Sequence, residues 1–114
     1  MLRDRLDKGV LERYFGLYRN PWFLVSKKTL GQYRLVNAYM EINRYTIRDT
    51  NLPPSVDEFS EEFAGYQVSS LIDWFSEYNQ LVLAEESRDI TAFIMLLGLL
   101  RITTIPQGAM NSIV

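Results

Sequence analysis

The adjacent prolines Pro53-Pro54 constrain this chain more than any other feature. A proline lacks the N–H that a helix interior or a central strand needs, and it drives the preceding residue into extended backbone. The polar stretch "RYTIRDTNLPPS" that contains them is therefore a connector, and elements must be assembled separately on either side of it. On the N-terminal side, "WFLVSKK", "TLGQ" and "YRLVNAY" predict a hairpin that turns at Gly31. Ahead of the hairpin, Leu2, Leu6, Val10 and Leu11 fall at helical spacing, with Gly9 keeping any helix short and Asn20-Pro21 marking a loop. On the C-terminal side, Ser55 reads as an N-cap with Glu58 at the capping-box position, opening a helix through "VDEFSEEFAG" that Gly65 ends. "YQVSSLID" and "QLVLA" then predict core strands around a tight "WFSEY" turn, and Glu85 to Asp89 a single helical turn. "ITAFIML" and "LLRITTI" predict a second hairpin around Leu97-Gly98, and "PQGAMNSIV" a loop entering a helix. The pattern is α+β, a hairpin unit followed by a sheet-plus-helix unit.

Composition narrows the chemistry. At 114 residues the chain is one domain at most. It has no cysteine and no histidine, which removes disulfides, thiolate nucleophiles, imidazole bases and thiolate or imidazole metal ligands. Any reaction must rest on carboxylates, hydroxyls, amides, Lys and Arg, with a hard cation such as Mg²⁺ as the matching metal. Twelve basic and fourteen acidic residues leave a formal net charge of -2, so polyanions can be attracted only by a local cluster. The apolar runs are too short to span a bilayer, and the charged start "MLRDRLDKG" carries no signal-peptide pattern.

Three groups of residues can carry function, and each has a plainer reading beside it. Asp73 closes the apolar run "SSLID" and is either strand-ending punctuation or a carboxylate held rigidly enough to grip a divalent cation. Gly108 in "IPQGAMNS" allows close backbone approach, so the amides around it can meet an anion or simply form a turn. Lys27, Lys28 and Arg34 flank the tip of the first hairpin, where they either close over a phosphate chain or protect a sheet edge from aggregation. Trp22, Phe23 and Tyr33 read as core.

Taken in order, "KGVLE", "RNPWFLVSKK", "YRLVNAYMEIN", "TIRDTNLPPSVDEF", "SSLIDWFSEYNQLVL", "SRDITAF" and "IPQGAMNS" resemble the reverse transcriptases of retroviruses and LTR retrotransposons, most closely the gypsy-type elements. The resemblance runs from about Lys8 to the last residue. It implies a partial right-hand polymerase fold, with a fingers hairpin over about residues 1–54 and an incomplete palm sheet with packed helices over about 55–114. It also implies RNA-directed DNA polymerisation in the parent protein, with a template-primer of RNA or DNA and a deoxynucleoside triphosphate as partners. By that resemblance "LIDWFSEY" is the first catalytic motif of the palm. Asp73 is then a catalytic carboxylate and Mg²⁺ ligand, joined by the Trp74 carbonyl, and Tyr78 is the ring beneath the sugar that excludes a 2′-hydroxyl. Gln107 and Gly108 belong to the Pro-Gln-Gly motif that meets the incoming nucleotide. Arg34 is the fingers arginine over the triphosphate, and Lys27 or Lys28 is the nearby lysine.

The departures from the family pattern matter equally. Ala38 stands where Asp is common and Met40 where Arg is common, and Glu77 takes a position usually held by Gly or Ala. A carboxylate at Glu77 opposes an anionic ligand by a few kcal/mol, on the order expected for poorly solvated like charges. The family's second catalytic motif, an aromatic-x-Asp-Asp hairpin, is absent from the sequence, as are thumb, connection and RNase H regions. The chain is therefore expected to be inactive alone and to leave apolar palm surface for the remaining polyprotein segments or for self-association. The parent element is expected to act in the cytoplasm or nucleus, without a membrane. A contrasting expectation is a non-catalytic remnant or domesticated fragment that serves as a binding module. An unrelated small α+β enzyme would need a second catalytic group, which the sequence does not show.

Overall fold

The computed structural model describes residues 1–49 and 55–112. A short helix, α1 (Leu2–Asp7), ends as Gly9 takes a left-handed φ of 71°, so Leu11 leaves the helical face and enters strand β1 (Leu11–Arg13). Strands β2 (Trp22–Ser26) and β3 (Tyr33–Asn37) form the first expected hairpin, in the antiparallel register Trp22↔Asn37 to Ser26↔Tyr33. Its turn is closed by Lys27 N donating to Gln32 O at 2.8 Å. The chain then enters α2 (Met40–Tyr45), a helix that the sequence reading does not assign and whose last residues, Arg44 and Tyr45, belong to the expected polar connector. No capping side chain announces this helix, since Tyr39 at its N-cap makes no side-chain cap bond.

Helix α3 (Val56–Phe63) begins as expected, with Glu58 N donating to Ser55 Oγ at 3.1 Å. Pro53-Pro54 and the rest of residues 50–54 of the connector lie outside the described residues. After α3 come two one-turn helices, α4 (Glu77–Gln80) and α5 (Glu85–Arg88), the second continuing into a 3₁₀ turn at Asp89–Thr91. Strands β4 (Phe93–Met95) and β5 (Gly98–Ile102) form the second expected hairpin, and β1 joins it to give an antiparallel sheet ordered β1-β5-β4.

Three expectations are corrected. "YQVSSLID" and "QLVLA" are not core strands: residues 66–74 form no helix or strand, Leu71 is 95% exposed, and Val82 makes only an isolated bridge to Thr104. The physical reason is pairing, because apolar alternation yields a strand only where a neighbouring strand takes its N–H and C=O groups, and no described strand lies beside residues 66–74. Phe23 and Tyr33 are half-exposed on the two-stranded hairpin rather than core, while Trp22 is partly buried. The expected helix after Pro-Gln-Gly is, through Ser112, a pair of turns closed by Ala109 N to Pro106 O and Ser112 N to Ala109 O.

The core is small: Leu11, Leu35, Phe93 and Leu100, with Leu2, Leu6, Trp22, Met95 and Ile102 packed against it. Leu35 and Trp22 carry the β2–β3 hairpin into this cluster. Polar bonds fix the docking. Trp22 Nε1 donates to Ile94 O at 2.7 Å, and Asn20 Nδ2 donates to Ile90 O and Ala92 O at 2.6 and 2.9 Å. These bonds satisfy backbone carbonyls where the two sheets meet, and they hold the first hairpin against the second.

Candidate functional site

Docking the hairpin on the three-stranded sheet leaves a cleft of about 470 Å³ between β3, α4 and the turn after β5. Lys27 and Arg34 line it from the hairpin, Tyr78 from α4, and Pro106 and Gln107 from the turn. Residues as distant in sequence as Lys27 and Gln107 thus share one wall-to-wall space. Lys28, Asp73, Trp74 and Gly108 are not among its lining residues. Asp73 and Trp74 lie exposed on residues 66–74, the segment that leads into α4. Of the two lysines that the sequence left undecided, Lys27 is the one at the cleft.

Each wall has a local cause. Lys27 follows the last paired residue of β2, and Arg34 pairs with Val25 at the turn end of β3, so the hairpin tip carries both cations. Tyr78 is turned in by the entry to α4, where Ser76 adopts a left-handed φ of 51° and ψ of 43°. That conformation costs an L-residue on the order of 1 kcal/mol, and Asn79 N donating to Ser76 O and Gln80 Nε2 donating to Phe75 O hold it in place. Gln107 sits between buried Pro106 and Gly108, whose φ of 98° only glycine adopts readily.

The cleft contains residues that the sequence reading missed. Arg5 of α1 lines it, so three cationic side chains (Arg5, Lys27, Arg34) face one acidic one, Glu77. Nothing local in "LRDRLD" marks Arg5 for this place; it arrives because α1 packs Leu2 and Leu6 on the core. Glu77 is exposed, so water screens its opposition to an anion well below the poorly solvated figure. Asn37 also lines the cleft, and its Oδ1 is buried without a hydrogen-bond partner, an arrangement that costs roughly 1–3 kcal/mol unless a donor reaches it. Beneath the cleft, burial pushes the Tyr39 phenol up to about 12, against the lowering effect of its hydrogen bond with Asn37.

The residues present do not complete a two-cation site. Among the described residues no group of three or more Asp or Glu side chains comes together, and Asp73 is a single exposed carboxylate. A second hollow, about 180 Å³ and mostly apolar, shares Tyr39, Ile105 and Pro106 with the first and lies between α2, α5 and the 105–112 turns.

No family model matches the chain. It is 32% identical over 104 residues to the retrovirus-related Pol polyprotein from transposon 412 of Drosophila melanogaster, covering 87% of this chain and 8% of that protein. It is equally 32% identical over 110 residues to the enzymatic polyprotein of Cauliflower mosaic virus (strain D/H), covering 94% of this chain and 15% of the relative. Among solved structures, it superposes on the foamy viral protease-reverse transcriptase in complex with dsDNA with a TM-score of 0.81 and 25% identity, over 97% of this chain and 23% of that one. The chain is a reverse-transcriptase-like segment. It spans less than a fifth of the length of these curated relatives. Transposon and plant-virus polyproteins match alike, so the relatives do not single out the gypsy type. The partial polymerase fold expected from the resemblance agrees with the superposition.

Proposed function

We propose that the cleft is the part of a template-directed DNA polymerase site that receives the deoxynucleoside triphosphate, and that the parent polyprotein performs RNA-directed DNA synthesis. The observation that carries this reading is the convergence of Lys27, Arg34, Tyr78 and Gln107 on one cleft. In it Lys27 and Arg34 meet the phosphates, Arg34 through a planar fork suited to bidentate contact. The Tyr78 ring limits the space below the sugar, and Gln107 faces the nucleotide from the opposite wall. Gly108 lets the backbone turn sharply beside it. Asp73, with the Trp74 carbonyl, is this chain's contribution to a Mg²⁺ site whose further oxygen ligands belong to other parts of the polyprotein. That a solved neighbour is bound to dsDNA supports a template-primer as the parent's macromolecular partner.

Titration of the purified chain with a deoxynucleoside triphosphate tests the cleft. Backbone and side-chain resonances of Lys27, Arg34, Tyr78 and Gln107 are expected to shift together, and Glu77→Gln to tighten binding by up to about fivefold, consistent with one screened like charge removed. Shifts confined to other surfaces, or none at millimolar ligand, would sink the reading. In primer extension with Mg²⁺ the isolated chain is expected to incorporate no deoxynucleotide, because one carboxylate does not make the two-cation arrangement; measurable incorporation overturns that expectation.

A second reading, a non-catalytic binding module, rests on the exposed apolar segment 66–75. It would leave the four cleft residues unmoved by nucleotide.

A further inference from the structure

We propose that Asn43 is a positioning residue that holds Gln107 in the cleft, an inference that rests on the nucleotide-binding reading above. Gln107 stands next to Gly108, whose φ of 98° makes it a pivot with little intrinsic restraint. From α2, across 65 residues of sequence, Asn43 Nδ2 donates to Gly108 O at 3.0 Å. The same amide accepts at Oδ1 from Met110 N at 2.8 Å. One side chain thus acts on the turn as a paired strand would, giving one bond and taking one.

Asn111 makes the reciprocal clamp. Its Nδ2 donates to Ile47 O at 2.9 Å, and its Oδ1 accepts from Asp49 N at 3.1 Å. The first side of the turn is tied separately, by Ser112 Oγ donating to Pro106 O at 2.7 Å. Asn43 is therefore the tie on the far side of the Gly108 pivot, and it reaches from the helix that directly follows the Arg34-bearing strand. The cation that meets the phosphates and the amide that faces the nucleotide are held in one frame through this residue. Its role is positional, since Asn43 is not among the cleft-lining residues.

The test compares the wild-type chain with Asn43→Ala, Asn43→Asp, Gln107→Ala and the Asn43→Ala/Gln107→Ala double variant. The readouts are amide exchange at Met110 and the affinity for dATP. Asn43→Ala is expected to speed Met110 exchange about tenfold, the loss of one side-chain hydrogen bond, with the amides of β4 and β5 unchanged. Asn43→Asp keeps the acceptor for Met110 N but sets a carboxylate against the Gly108 carbonyl; it should protect Met110 better than alanine does and still weaken dATP. The affinity cycle separates positioning from simple destabilisation. The double variant should bind dATP no more weakly than Gln107→Ala, because Asn43 acts through Gln107. Multiplicative losses, or faster exchange across β4 and β5, would assign Asn43 a general stabilising role and overturn the proposal. If the wild-type chain binds no dATP, the nucleotide reading fails by itself, and Met110 exchange still decides the clamp: faster in Asn43→Ala supports it, unchanged overturns it.

Discussion

Tyr39 occupies the junction of β3 and α2, only 3% exposed, with its hydroxyl accepting from Asn37 Nδ2 at 3.2 Å. Burial disfavours the phenolate, and the hydrogen bond only partly offsets it, so the group titrates near 12 rather than 10. The sign of the linkage follows. The folded chain prefers the neutral phenol, so this contribution is complete below pH 10 and is lost as pH climbs from 10 toward 12, a term on the order of 2–3 kcal/mol. Ultraviolet titration of the seven tyrosines should therefore show a late phase near pH 12 that coincides with unfolding and is missing in Tyr39→Phe. A Tyr39 that ionises at 10 without loss of structure would contradict its burial. Residues of this kind show where sequence reading stops. Tyr39 read as one more strand residue, and Asn43 and Arg5 carried no local mark, because Asn43 draws its role from partners 65 and 67 residues away and Arg5 from the way its own helix, α1, packs.

At the scale of elements, both hairpins were legible because turn glycines and short apolar runs specify them locally. Helix α3 was legible through Ser55. Helix α2 was hidden, six residues without a cap or a wide apolar face, and segment 66–74 was misread because period-two alternation says nothing about whether a partner strand is present. Spacing offered Asp73, Gly108, Lys27, Lys28 and Arg34 as candidates, and docking of hairpin on sheet brings Lys27 and Arg34, but not Asp73, Lys28 or Gly108, to the cleft. The β1–β5 pairing that supports this docking carries a charge network. Arg101 Nε donates to Glu12 Oε1 at 2.6 Å across the register pair, its Nη1 donates to Asp89, and Arg88 approaches Glu12 at 3.6 Å. Burial works against the Arg101 charge, but the two carboxylates more than offset it and hold its pKa above the ordinary value. Arg101→Met should cost about 1–2 kcal/mol, less than a deeply buried pair because Asp89 is nearly half-exposed. Urea unfolding at low and at 1 M salt checks this: the deficit should shrink at high salt, and a salt-independent loss would assign it to packing of the arginine stem instead.

For the whole molecule, cohesion and extent disagree with those of a self-contained globule. The radius of gyration is 17.2 Å, where a compact chain of this length has about 13 Å. Among the described residues the buried cluster is Leu11, Leu35, Phe93 and Leu100, while Leu71, Ile72, Trp74 and Phe75 stand at 64–95% exposure. The two sets should respond oppositely to substitution. Phe93, fully buried where β4 meets β5, anchors the sheet, and Phe93→Ala should cost about 3–5 kcal/mol, enough to abolish a cooperative unfolding transition in so small a core. Leu71→Lys with Phe75→Lys removes no packed contact and should leave stability within about 0.5 kcal/mol of wild type. The same double variant should lower hydrophobic-dye binding and reduce concentration-dependent self-association in sedimentation, because it replaces two exposed apolar side chains with charge. If instead the double variant unfolds while wild type sediments as a monomer with a radius of gyration near 13 Å, segment 66–75 folds back onto the chain in solution. The separation of a small core from an open apolar face would then be wrong.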